Sequence, residues 1–138
     1  MPRTHQDLGD LPPGKSYTPL TAAIDVEVAL ELLEGRWKLV ILFQLFGGKV
    51  RRFSELERLV TGISQKMLAQ QLRQLEADGI VRRVVHAQVP PKVEYALTDW
   101  GESLCPSLDA LLTWFVWKPA SDAAVSAIGT STSPPAEE

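Results

Sequence analysis

Between Gly62 and Gly79 the chain reads GISQKMLAQQLRQLEADG, a stretch that few folds can accommodate. Leu68, Leu72 and Leu75 recur at helical spacing and mark one buried stripe, while Lys66, Gln70 and Arg73 fall on the opposite side. Ser64 is a favoured N-cap, Gly62 permits a tight turn ahead of it, and Gly79 is placed to end the helix in the left-handed conformation. The chemistry of the exposed side is unusual. Gln65, Gln70, Gln71 and Gln74 carry amides, Lys66 and Arg73 carry positive charge, and no carboxylate appears before Glu76. An amide can bond adenine in two places, and Arg or Lys can bond guanine or a phosphate, so the face suits a DNA major groove. An ordinary solvated helix uses the same residue types, because Gln, Lys and Arg are good helix formers. The flanking sequence decides between the two.

Upstream, KVRRFSELERLV carries Ser54 and Glu57 at capping-box spacing, with Phe53, Leu56 and Leu59 as apolar contacts, and predicts a short helix ending near Thr61. A short helix, a turn through Gly62 and the Ser64 helix together make a helix-turn-helix. Lys49, Arg51 and Arg52 stand just before it, where phosphate contacts would set its register. Downstream of Gly79 the period changes from helical to extended. IVRRVVH and VEYAL predict two antiparallel strands joined by AQVPPK, a wing behind the helix-turn-helix. Lys92 at the loop end, with Arg82 and Arg83 on the strand, could meet phosphate or the minor groove. A two-stranded hairpin is marginal alone, so Val84, Tyr95 and Leu97 are expected to pack on the helices.

The rest of the chain supplies core and surface. Thr21 to Leu33 has helical spacing at Ile24, Val28 and Leu32. Arg36 to Phe46 predicts a second helix, so apolar on every side in LVILFQLF that it should be enclosed by others. From Thr98 to Trp117 a last helical region places Trp100, Leu104, Leu108, Leu111 and Phe115 on one stripe, broadened by Leu112, Trp114 and Trp117; Pro106 must kink or restart it. That is more apolar surface than a small domain needs, and pairing through the two terminal helices, with Ile24, Val28, Leu108, Leu111, Leu112 and Phe115 at the interface, would give a twofold dimer. Dimer or core packing also explains the tryptophans more simply than an apolar ligand does. Residues 1–20 read as a flexible arm and residues 119–138 as a flexible tail, leaving residues 21–118 as one α+β domain, mainly helical with a small hairpin.

Charge agrees with a nucleic-acid partner once it is read locally. From Arg36 to Lys92 there are 11 Lys and Arg against 4 Asp and Glu, whereas the remainder has 3 against 13, so a net charge of −3 conceals a basic middle. No apolar run is long enough to span a bilayer and no targeting signal precedes the domain, which makes a cytoplasmic protein the expectation. One cysteine, Cys105, with His5 and His86, gives no metal or cofactor site. No nucleophile with a base, carboxylate pair or phosphate loop indicates an enzyme.

The segments EGRWKLVILFQLFGGKVRRFSEL, GISQKMLAQQLRQLEADGIV and VPPKVEYALTDWGESL, in that order, resemble the HxlR-type winged helix-turn-helix transcriptional regulators over roughly residues 24–117. The resemblance implies a bacterial-type regulator, a homodimer on a symmetric double-stranded operator, with Ser64, Gln65, Lys66, Gln70 and Arg73 as recognition-helix contacts and Arg51, Arg52 and Lys92 on the backbone. Repression is the expected sense. An effector, if a small molecule, is not identified. Many members carry a cysteine and a proline just before a Val-Glu pair in the first helix, and several sense oxidants there. Here Ile24 and Asp25 precede Val26-Glu27, so that route is not carried over. A winged-helix module for protein assembly, with little DNA affinity, remains the alternative reading.

Overall fold

A computed structural model of the chain describes residues 11–120, so residues 1–10 of the expected arm and 121–138 of the expected tail lie outside the described residues, and the arm's Pro19 and Leu20 belong to the first helix. Two compact units are distinguished, one ending at Glu102 and one beginning at Ser103. The first holds α1 (Pro19–Leu32), α2 (Lys38–Phe43), β1 (Arg51–Arg52), α3 (Phe53–Leu59), α4 (Gln65–Ala77), β2 (Val81–His86), β3 (Lys92–Leu97) and α5 (Asp99–Glu102). The second holds α6 (Cys105–Val116).

Local capping explains where the helices begin. α1 starts two residues before Thr21, because Thr18 and Thr21 cap each other: the Thr21 N–H donates to Thr18 Oγ1 at 3.2 Å and the Thr18 N–H to Thr21 Oγ1 at 2.9 Å. Pro19 then occupies the first turn, where its missing N–H costs nothing. α4 matches its expected limits, with Ser64 Oγ accepting from the Met67 N–H at 3.0 Å and Gly79 beyond the helix end at φ +79.

α2 is shorter than the predicted Arg36–Phe46, giving way to turns before Gly47 and Gly48. Ile41, Leu42 and Leu45 are fully buried, together with Leu56 and Val60 around α3 and Leu68 and Leu75 of α4, and they form the centre of the core. Leu39, Val40 and Phe43 nevertheless stay about two-fifths exposed. The expectation of a fully enclosed helix fails in the single chain, since covering lies on one side only. The turn after α2 is tied to α5: the Glu102 carboxylate accepts from the N–H of Gly47 at 3.2 Å and of Gly48 at 2.8 Å.

The sheet has three strands in the order β1-β3-β2, one more than the sequence pattern predicts. The added β1 pairs Arg51 with Tyr95 and Arg52 with Glu94. This pairing holds Arg52 extended at the entrance to α3, and its N–H donates to Glu55 Oε1 at 2.8 Å. The capping carboxylate is therefore Glu55, and the expected Ser54–Glu57 box does not form; Ser54 lies inside the helix. β2 and β3 pair antiparallel from Val81 with Leu97 to His86 with Lys92, with Val81, Ala96 and Leu97 buried.

The end of α4, both hairpin strands and α5 meet at Thr98. Its N–H donates to the Ile80 carbonyl at 3.0 Å, its hydroxyl donates to the Gly79 carbonyl at 2.6 Å, and that same oxygen accepts from the Gly101 N–H at 3.0 Å. Gly101 is buried, and a Cβ built there would lie 2.3 Å from the Ile80 carbonyl oxygen. In the second unit Pro106 sits in the first turn of α6, so the proline restarts a helix and does not kink one. Leu108 is the buried residue of α6.

Gly101→Ala should therefore force α5 off the hairpin and destabilise the protein by about 1–3 kcal/mol, the usual cost of overpacking. Thermal unfolding checks it, and an unchanged midpoint would show that this approach is looser than the geometry implies.

Candidate nucleic-acid interface

The helix-turn-helix is α3, the Val60–Ser64 turn and α4. At roughly 100° per residue, burying Leu68, Leu72 and Leu75 turns Lys66, Gln70 and Arg73 to the far side, within an arc of roughly 60°. All three are exposed. Ser64 is exposed at the N-cap and keeps its hydroxyl hydrogen as a donor while its oxygen caps Met67. Gln65 is also exposed, and its amide reaches Glu57 Oε1 of α3 at 3.5 Å, so a carboxylate does adjoin this end of the face. Gln71 departs from the sequence reading. It is half-buried, with Nε2 on Met67 Sδ at 3.4 Å and Oε1 out of solvent without a hydrogen-bond partner.

The cations flanking the helix pair are not equivalent. Arg51 is half-buried and its Nε donates to the Gln44 carbonyl at 3.1 Å, which commits part of its fork to the fold. Arg52 is exposed beside it. Lys92 is the first residue of β3 and not a loop residue, and its ammonium lies 3.5 Å from Glu94 Oε2. The tip between the strands, residues 87–91, carries no charge at all.

Glu94 is the electrostatic focus of the wing. Its Oε1 accepts from His86 Nε2 at 2.6 Å. The hydrogen bond from His86, with the nearby positive charge of Lys92, holds the carboxyl below its usual range against the opposing effect of desolvation. Arg83, paired with Tyr95 in register, lies on the other face of the sheet. There Arg83, Tyr95, Ala69, Leu72, Arg73 and Glu76 line an open groove of about 380 Å³ between α4 and the sheet. The sequence marked Arg82 and Arg83 together; strand alternation alone separates them, since Arg82 pairs with Ala96 on the opposite face.

The residues assigned to dimerisation are mostly uncovered. Ile24 is 47% exposed, Val28 52%, Leu111 52%, Leu112 53% and Phe115 64%, whereas Leu108 is already buried within the chain. α1 has no buried residue at all. In the second unit, Thr113, Trp114, Phe115, Trp117, Lys118 and Pro119 line an open concavity of about 570 Å³. Among the described residues no cluster of His, Cys, Asp and Glu could hold a metal ion, and no helix is long and apolar enough to cross a membrane.

Residues 32–120 match the family model described as HxlR-like helix-turn-helix. The chain is 57% identical over 91 residues, 66% of its own length and 71% of the relative's, to an uncharacterized HTH-type transcriptional regulator, YtcD, of Bacillus subtilis (strain 168). Among solved structures, the redox regulator HypR in its reduced form is 46% identical and superposes with a TM-score of 0.61 over 65% of this chain and 88% of that one. A transcriptional regulator described as MarR-family, from Enterococcus faecalis V583, is 35% identical with a TM-score of 0.67 over 76% and 92%.

The Glu94 cluster makes a prediction about acid stability. A carboxyl whose folded pKa lies below its unfolded value, here 4.5, contributes stability that is fully present above that value and is lost as pH falls through the lower, folded one. Urea midpoints measured against pH should fall through this acid window in the parent, and Glu94→Gln should flatten that part of the decline. Superposable acid limbs would show that the His86–Glu94–Lys92 cluster adds nothing to folding.

Proposed function

The chain belongs to the HxlR-like helix-turn-helix family, transcriptional regulators with a DNA-binding domain and not enzymes, and from that premise we propose a cytoplasmic repressor that binds a symmetric operator as a homodimer. The observation that carries the reading is the exposed stripe of Lys66, Gln70 and Arg73 opposite the buried leucines of α4. α4 enters the major groove, where Ser64, Gln65, Lys66 and Gln70 meet base edges and Arg73 extends the contact. Arg51, Arg52 and Lys92 address the backbone. Residues 21–118 form the working body.

The apolar surface that α1 and α6 leave uncovered supports the homodimer. α1 is 14 residues long without a buried side chain, and isolated helices of about 12–15 residues are marginal in water. Ile24 and Val28, with Leu111, Leu112 and Phe115, supply the apolar surface for a twofold interface, and Leu108 supports α6 from within the chain. The twofold sets two α4 helices roughly 34 Å apart, one turn of DNA. A small-molecule effector, not identified, would act by binding competent and incompetent dimers unequally. HypR is a redox regulator, but oxidant sensing is not proposed for this chain. The single cysteine of this chain, Cys105, lies on α6 with its sulfur 3.8 Å from Asp109 Oδ2, while Ile24 and Asp25 stand where the family's sensing cysteine would precede Val26-Glu27.

Selection of bound duplexes from a randomised pool, with affinities followed against salt, tests the whole reading. A twofold-symmetric site with steep salt dependence is the expected result. Weak binding with no enriched site would favour a protein-assembly role. On the selected site, Gln70→Ala should lose about 1–3 kcal/mol of discrimination at particular base pairs, visible as a flattened preference there. Phe115→Glu should shift the protein toward monomer in analytical ultracentrifugation and weaken operator binding with it; a variant that stays dimeric would remove α6 from the interface.

A further inference from the structure

The groove between α4 and the sheet has an unusual charge arrangement for a surface of this kind. Arg73 of α4 and Arg83 of β2 are both exposed and line it from opposite walls. Neither forms an ion pair among the described residues, although Glu76 lines the same groove. Tyr95, with its phenolic hydroxyl, and the small Ala69 line the same groove. Two planar guanidiniums lining one groove are suited to a tetrahedral oxyanion.

We propose that Arg73 and Arg83 together grip a single phosphate of the bound duplex, so that Arg73 fixes register and does not read a base. The inference rests on the DNA-binding reading above and assigns chemistry within that interface. Position supports it. In helix-turn-helix docking the N-terminal residues of the recognition helix reach base edges. Arg73 is the ninth residue of α4, about 12 Å along the axis from Gln65, and it faces the wing. Lys92, proposed above to address the backbone, shares its charge with Glu94, whereas Arg83 has no ion-pair partner among the described residues. Arg83 is thus the strand cation best placed to share a phosphate with α4.

The test uses the full chain and the duplex selected by the parent protein. One phosphate contact is worth a slope of about 0.9 in log affinity against log salt, hence roughly eightfold at about 0.1 M salt. Arg83→Gln and Arg73→Gln should each lose that much on every sequence tried, with base preferences unchanged. The double variant should lose little more than either single one, since both forks serve one phosphate. Glu76→Gln should tighten binding to all sequences, a gain that misfolding cannot produce. Changed base preference in Arg73→Gln, losses that multiply in the double variant, or unaltered binding in Arg83→Gln would each overturn the shared grip while leaving the regulator reading intact. A parent that binds no duplex at all would instead overturn that reading, and this inference with it.

Discussion

The burial of Leu68, Leu72 and Leu75 is the constraint on which the rest depends. All three are at most 1% exposed, and truncating a leucine in such a site costs about 2–5 kcal/mol, so α4 cannot rotate about its axis without large loss. With the rotation fixed, the helical repeat alone decides that Lys66, Gln70 and Arg73 face outward. The proposed reading surface therefore needs few interactions of its own to stay in place. Its rigidity rests on the same buried core that holds Ile41, Leu42, Leu45, Leu56 and Val60. On the proposed reading Lys66, Gln70 and Arg73 are free to exchange water for DNA, because the position of the helix rests on the buried leucines and on the Ser64 cap.

A recognition helix must also keep its distance from the wing, and here the controlling contacts are polar. Thr98 bonds the carbonyls of Gly79 and Ile80, just where α4 ends and β2 begins, and receives the N–H of Gly101 from α5. A glycine at 101 lets α5 come within contact of the Ile80 backbone, where any side chain would collide. Glu102, one residue later, reaches the Gly47 and Gly48 amides, so the same short helix also holds the chain that leads into β1. The position of Arg51 and Arg52 is set at one remove by that carboxylate, since strand pairing then aligns them with Tyr95 and Glu94.

What the sequence revealed divides along a physical line. α4 and the hairpin were legible because their signals are local: a cap, a left-handed glycine and a change of period lie within a few residues of what they control. β1 was not, since two residues are too few to show alternation, and its existence depends on β3 more than forty positions away. Missing β1 misplaced the cap of α3, because sheet pairing selects Arg52 as the entry to the helix. Gln71 was read as exposed, yet it sits at the edge of the buried stripe, where neighbouring elements and not periodicity decide the outcome. The Lys92–Glu94 pair was recoverable in principle. Residues two apart on a strand share a face, so opposite charges there already imply that the cation is engaged. The enclosure of α2 was overestimated for a different reason: an all-apolar pattern does not say how many sides of a helix are covered, and here Leu39, Val40 and Phe43 stay about two-fifths exposed.

That last point bears on how an acidic chain can address DNA. A net charge of −3 would repel a polyanion only if every charge were felt equally, but physiological salt confines exposed charges to about 8 Å. The field at the groove between α4 and the sheet is thus governed by Arg73, Arg83 and Glu76, and not by the pI. Among these three the balance is one positive charge, small enough that Glu76 weighs as heavily as either arginine. Glu94 plays the same part on the other face of the sheet, where it offsets Lys92 and accepts from His86. Each of these clusters therefore carries its own counter-charge, which on the proposed reading limits indiscriminate adhesion to any duplex and leaves more of the binding free energy to the proposed sequence-dependent contacts at Lys66 and Gln70.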